Sequence, residues 1–172
     1  LGVDVLLEFE RELNTSLPTE YREYLLTHNG GDFEKRVVLV PDEGHTRVHH
    51  MFGLHEGPEY RRLRKQRLLF GGGIARDYLP ICDDGVGNTF FLKLKGRNQG
   101  AVYFGDHEAI GGDKRVEHLQ FVSGNFKEFV ESMLSDDEML EGFKQADPDG
   151  YSSFQQLLEE MQELRRKEEK GQ

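Results

Sequence analysis

Hydrophobic positions along this chain change period, from about 3.6 residues near both ends to 2 in the middle, so helices are expected to flank a central run of strands. Leu6, Phe9 and Leu13 share one face of a predicted helix over 4–13, with Asp4 as its cap. Pro18 suits the first position of a second helix, whose stripe runs through Leu17, Tyr21, Tyr24, Leu25 and His28 and whose stop is Asn29-Gly30-Gly31. A strand is predicted at 37–40, ended by Pro41, and then a loop-like, His-rich stretch over 42–57 that contains Phe52-Gly53. Residues 58–67 read as a short helix with a basic outer face, 68–70 as a short strand, and Gly71-Gly72-Gly73 as a flexible break.

The chain's organising stretch is 78–108, with strands near 78–82, 89–95 and 101–105 and a further strand at 118–122. Phe90, Leu92 and Leu94 alternate with Phe91, Lys93 and Lys95, the pattern of a sheet covered on one side. Asn125 with Glu128, Ser135 with Glu138, and Ser152 with Gln155 each have capping-box spacing. They introduce helices carried by Phe126, Phe129, Val130, Met133 and Leu134, then Leu140 and Phe143, then Phe154, Leu157, Leu158, Met161 and Leu164. Asp147-Pro148-Asp149-Gly150 reads as a turn. The fold class is therefore α+β: a mostly antiparallel sheet of five to six strands with helices packed on it. Residues 1–134 form the α+β domain, and 135–172 a C-terminal helical extension packed on the same domain.

Composition narrows the functional classes. A net charge of −10 argues against direct nucleic-acid binding, which needs a basic surface, and fits a protein that meets basic partners. A single cysteine, Cys82, excludes an internal disulfide and fits a reducing cytoplasm. No apolar run is long enough to span a bilayer, so no membrane association is expected. Acids stand where a signal peptide would carry Lys or Arg, and the opening Leu1 suggests that a short N-terminal piece precedes the sequence.

Candidate chemistry is sparse. Asp83-Asp84-Gly85-Val86-Gly87-Asn88 could hold a cation through its carboxylates, but its residues are also those of a hairpin turn, the favoured reading. Asp147-Pro148-Asp149-Gly150 fails as a calcium loop, because Gln145 and Gln156 occupy positions that should be acidic. His45, His49, His50 and His55 form a cluster in what reads as an exposed loop without metal-ligand spacing. Cys82 is read as a buried structural residue, with His107 or His118 the bases a thiol nucleophile would need. Arg61, Arg62, Arg64, Lys65 and Arg67 read as a solvated helix face, with no aromatic platform for nucleic acid beside them. Asp42, Glu43, Asp83, Asp84, Asp106, Glu108 and Asp113 fall in loops or at strand ends, where they could converge on one rim of the sheet.

The order of elements resembles the SUKH superfamily of Smi/Knr-type domains. The resemblance rests on Phe9, Leu13, Leu17-Pro18, Tyr21, Leu25 and Asn29-Gly30-Gly31, then Phe52-Gly53, Leu79-Pro80, Asp84-Gly85-Val86-Gly87-Asn88, Gly100-Ala101-Val102-Tyr103-Phe104 with Asp106-His107-Glu108, and the helix from Phe126. It covers about residues 4–134; the chain lacks the Trp common in the family's central region, 42–67 does not align, and 135–172 is an extension. The resemblance implies a non-enzymatic protein-binding domain with no catalytic residue, cofactor or metal. Bacterial members look like immunity proteins of polymorphic toxin systems, which bind and occlude a cognate toxin, often a nuclease. Other members resemble regulatory scaffolds. On this reading Asp83, Asp84, Asp106 and Glu108 are the expected partner-binding residues, the partner is a basic toxin domain, and the C-terminal helix could form a homodimer. The rivals are a scaffold acting through that helix, and an enzyme using the His cluster, Cys82 or the Asp pair.

Overall fold

The computed structural model describes residues 1–70, 72–110 and 116–170, leaving aside the side chains of 72, 73, 75, 164 and 168–170. Asp113 and the Leu164 side chain, both assigned roles above, lie outside the described residues, as does Gly71 of the predicted break. The chain forms two compact units, Leu1–Met133 and Leu134–Gln172.

In the first unit, the predicted helical faces are the buried ones. Helix α1 (Val3–Leu13) buries Leu6, Phe9 and Leu13, and α2 (Thr19–Thr27) buries Tyr21, Tyr24 and Leu25. His28 departs from the predicted stripe: it is exposed and stacks on Tyr24 at 5.3 Å. Asp4 is not the cap of α1. Gly2 precedes the helix, and Asp4 sits inside the first turn, where its charge complements the helix's positive end. Pro18 likewise lies one residue before α2 rather than within it.

Strands β1 (Val37–Val40) and β2 (Gly44–Arg47) form a separate hairpin. Strand β3 (His50–Met51) follows, then a 3-10 turn at Glu59–Arg61, α3 (Leu63–Leu69) and α4 (Gly72–Asp77). The stretch 42–57 is thus not simply a loop, since it supplies two strands. The strand expected at 68–70 is the end of α3, with Leu68 and Leu69 mostly exposed. A three-residue apolar run carries no period with which to separate the two states.

Strands β4 (Tyr78–Asp83), β5 (Thr89–Lys93) and β6 (Val102–Gly105) are those of the organising stretch. After α5 (His107–Ile110) and a 3-10 turn at Val116–His118 comes β7 (Gln120–Ser123), two residues later than expected. Among the described residues, β3 to β7 form one antiparallel sheet in sequence order. Its main face packs Ile81, Phe90, Leu92 and Phe104 against α1, α2 and α6 (Phe126–Glu131). The other face is not polar, as the alternation in β5 suggested. Ile74, Tyr78, Phe91 and Ile110 form a second apolar cluster there, and Lys93 Nζ lies 4.8 Å from the Tyr78 ring centre and donates to its hydroxyl at 3.0 Å. The lysine covers the cluster with its stem and keeps its charge at the edge.

Two of the sequence motifs form one joint. Asn29 takes a left-handed φ of 55° at the end of α2. Its side chain then pairs with Leu54 in both directions, accepting from the amide at 2.7 Å and donating to the carbonyl at 3.2 Å. Gly31 and Met51 exchange backbone hydrogen bonds at 3.2 and 2.8 Å, which extends the sheet edge. A Cβ on Gly53 would lie 2.1 Å from the Asn29 carbonyl oxygen, so only glycine permits this approach.

In the second unit, α7 (Asp136–Ala146) opens with the full Ser135–Glu138 capping box. The Asp147-Pro148-Asp149-Gly150 segment does not form a free turn. Asp147 accepts from the Gly150 amide at 2.9 Å, and α8 (Pro148–Lys170) runs on from it, with Ser152 inside the helix rather than capping it. Asp followed by Pro at the first helical position is also a helix-start signal, and here that meaning prevails. Phe143 packs on Tyr151 and Phe154, while Phe154, Leu157 and Met161 remain partly exposed.

Phe90 is fully buried at the centre of the main core, whereas Val86 is 73% exposed at the tip of the β4–β5 turn. Phe90→Ala is expected to destabilise the fold by about 3–5 kcal/mol. Val86→Ala should change stability by less than about 0.5 kcal/mol. Urea unfolding of the two variants checks the contrast.

Candidate functional site

The end of the sheet where β4 turns into β5 gathers most of the chain's candidate chemistry. Asp83, Thr89 and Gly105 are register partners across three strands, so the β4–β5 turn and the β6–α5 junction lie side by side. Asp84 organises the turn. Its Oδ1 accepts from the amides of Val86 and Asn88, each at 3.0 Å. Its Oδ2 accepts from Asn88 Nδ2 at 2.6 Å and from the Thr46 hydroxyl of β2 at 3.4 Å. Gly85 and Gly87 take φ of 80° and 114°, the conformations that let the chain curl around the carboxylate.

Asn88 passes the order on. Its Oδ1 accepts from the His107 amide at 3.0 Å and lies 2.8 Å from His107 Nδ1. Asp106 then caps α5, accepting from the Glu108 amide at 2.6 Å and the Ala109 amide at 3.4 Å. Glu108 is exposed and Asp106 half-buried. Glu43 reaches the neighbouring β7 edge, where Gln120 donates to it at 2.8 Å.

The four acids singled out from the sequence are thus brought to one rim, but they are not equivalent. Asp84 is only 9% exposed and its oxygens are taken up by the turn, which gives it a structural role. Asp83 accepts from the Gly85 amide at 3.0 Å and faces two histidines. His49 Nδ1 lies 3.4 Å from its Oδ1, and His50 Nε2 lies 3.2 Å from its Oδ2.

The His cluster accordingly divides. His45 is on β2, paired with Leu39 and exposed. The His55 ring accepts from the Gly57 amide at 3.0 Å. His49 and His50 go with Asp83, and His50 is 2% exposed, not part of an open loop. Burial pushes the His50 imidazole down from its ordinary range, against the opposing pull of the Asp83 carboxylate. No local spacing could have announced this group, because β3 and β4 meet only through the sheet register.

Cys82 is fully buried, and burial, with Asp83 and Asp84 nearby, pushes its thiol well up, the opposite of what a nucleophile needs. The basic run is largely paired within the first unit. Arg64 binds Glu12 through Nε and Nη2 at 3.0–3.1 Å, Lys65 lies 3.4 Å from Glu59, and Arg62 3.6 Å from Glu56.

Asp84→Ala leaves the Val86 and Asn88 amides and the Asn88 side chain without their acceptor, and is expected to destabilise the fold by about 2–3 kcal/mol or more. Denaturant midpoints relative to the unsubstituted chain measure this. Cys82 is expected to resist alkylation in the folded protein and to react fully in guanidinium. Native labelling at the rate of a free thiol would show that the strand end is open.

Among the described residues no helix is long and apolar enough to cross a membrane. A comparison with curated proteins found no match. The sequence profile of the SMI1 / KNR4 family (SUKH-1) matches residues 3–132, a span that takes in β1 to β7 and the α5–α6 region. That family is generally a non-enzymatic fold and points to protein–protein interaction. With the match covering most of its length and an α+β fold of antiparallel sheets and packed helices, the chain belongs to the SMI1 / KNR4 family (SUKH-1).

Proposed function

We propose that this protein is a cytoplasmic immunity protein that binds a basic toxin domain, one acting on nucleic acid, and occludes its substrate cleft. The observation that carries the reading is the acidic rim. Asp83, Asp106 and Glu108 sit on one end of the sheet, held by the Asp84 and Asn88 hydrogen bonds, in a chain of net charge −10. A fixed acidic edge steers a basic partner and speeds encounter without itself needing chemistry. The side chain at the turn tip, Val86, is 73% exposed and offers an apolar contact beside those acids. The family domain is taken as 1–134 and the remainder as a helical extension, in line with the matched span and the compact unit Leu1–Met133.

A second reading has its own observation. Phe154, Leu157 and Met161 leave an apolar stripe on α8 that could bind a partner or a second copy, as in a regulatory scaffold. Deleting 152–172 separates the two: an immunity protein keeps its toxin, and a scaffold of this kind loses its partner with the first unit still folded.

The direct test is co-expression with the toxin domain encoded beside its gene. The expected result is a one-to-one complex on gel filtration and rescue of growth. Absence of both overturns the reading. Within such a complex, Glu108→Lys together with Asp106→Lys is expected to slow association roughly tenfold and to flatten its salt dependence. An association rate unchanged by the double reversal moves the interface off this rim.

A further inference from the structure

We propose that His49, His50 and Asp83 form a binding site for a divalent transition-metal ion, and that zinc(II) is the ion it fits. This goes beyond the binding role above and does not depend on it. One donor atom from each residue lies within 4.8 Å of the other two. His49 Nδ1 lies 3.4 Å from Asp83 Oδ1 and His50 Nε2 lies 3.2 Å from Asp83 Oδ2, so each imidazole faces its own carboxylate oxygen at close to the edge of about 3.3 Å expected between ligands at zinc bond lengths of about 2.0–2.1 Å. Closing the site around one ion asks for side-chain rotation, for which the exposed His49 is free.

A second observation points the same way. The Tyr60 backbone and the Asp83 carboxylate both act on the His50 ring, which is 2% exposed, yet among the described residues neither of its ring nitrogens makes a well-directed hydrogen bond. Buried imidazoles ordinarily do, and an ion is one of the standard reasons for such a gap. Nε2 lies 3.2 Å from Asp83 Oδ2, the carboxylate that would share an ion with it.

The frame is rigid. His50 and Asp83 are directly opposed across β3 and β4, and the His49 amide donates to the Asp83 carbonyl at 2.7 Å. Gly85 leaves room for the His49 ring, which would lie 3.2 Å from any Cβ there. The group opens onto a cleft of about 390 Å³ lined by Tyr60, Gln66, Phe70 and Thr89, which leaves a face for water or a partner's side chain. Arg61 also acts on His50, but its charge is shared with Asp32 at 3.9 Å. Two imidazoles and one carboxylate suit a borderline ion and disfavour magnesium or calcium, which prefer all-oxygen shells.

Titration of the metal-free full chain with zinc chloride, followed by calorimetry, tests the proposal. The expected result is one ion per chain at low micromolar affinity, with magnesium chloride giving no heat of binding. His49→Ala, at an exposed position, and Asp83→Asn should each weaken zinc binding roughly tenfold or more, while His45→Ala should not. Cobalt(II) should show visible absorption of a low-coordinate nitrogen–oxygen site that His49→Ala removes. Millimolar or absent zinc binding by the folded chain overturns the proposal, as does wild-type affinity in both His49→Ala and Asp83→Asn. Circular dichroism confirms that each variant remains folded. Because His50 is buried, the substitutions at His49 and Asp83 carry the test.

Discussion

The Asp84 carboxylate is the constraint on which this end of the molecule depends. A hairpin turn containing two glycines at positive φ has little conformational preference of its own, because glycine has the most freedom to lose on folding. Asp84 supplies the missing preference by accepting two backbone amides and one side-chain amide within the turn, and a hydroxyl from β2. Hydrogen bonds to an ionised acceptor are among the stronger kind, and burying the carboxylate is tolerable only because it is so fully satisfied. From there order spreads through Asn88 to His107, and from Asp106 to the start of α5. Two adjacent acids therefore have opposite fates, with Asp84 committed to structure and Asp83 left facing the histidines.

What could be read from the sequence follows the range of the interactions involved. The faces of α1, α2 and α6 were legible because helical period and burial coincide within one element. The Ser135–Glu138 box was legible because both partners sit three residues apart. The Asn29-Gly30-Gly31 and Phe52-Gly53 motifs were visible as motifs, but not their union, since the clamp of Asn29 on Leu54 joins points far apart in the chain. Strand β3, two residues long, offers no period at all. Phe91 reads as part of a polar face because Lys93 and Lys95 follow it at period two, yet the cluster it joins comes from α4, α5 and β4. Asp147-Pro148 satisfied the rules for a turn and for a helix start equally, and local sequence could not choose between them.

The site was legible in part for the same reason. Asp42, Glu43, Asp83, Asp84 and Asp106 lie in turns or at strand ends as expected, Glu108 lies inside α5, and strand register brings Asp83, Asp106 and Glu108 to one rim. Their inequality was hidden, because burial of Asp84 depends on Thr46 and on the path of the turn. The histidines were grouped by closeness in sequence, but His45 and His55 belong to other surroundings. The partner that gives His49 and His50 a shared chemistry, Asp83, arrives from another strand.

The two roles argued for this rim meet at Asp83. A basic protein surface and a divalent ion both seek its negative charge, and only one can take the same carboxylate oxygens. A bound ion would cancel part of the local field and weaken long-range attraction toward a basic partner. It would also present an open coordination position that a partner's histidine or carboxylate could fill. These effects have opposite sign and different reach: screening by salt suppresses the first beyond about 8–10 Å, whereas coordination acts only at bonding distance and is hardly screened. Linkage is reciprocal, so whichever effect dominates, the partner must shift the affinity for the ion by the same factor that the ion shifts the affinity for the partner. With both proposals taken together, the rim would be one site with two coupled kinds of cation rather than an acidic patch that happens to contain histidines.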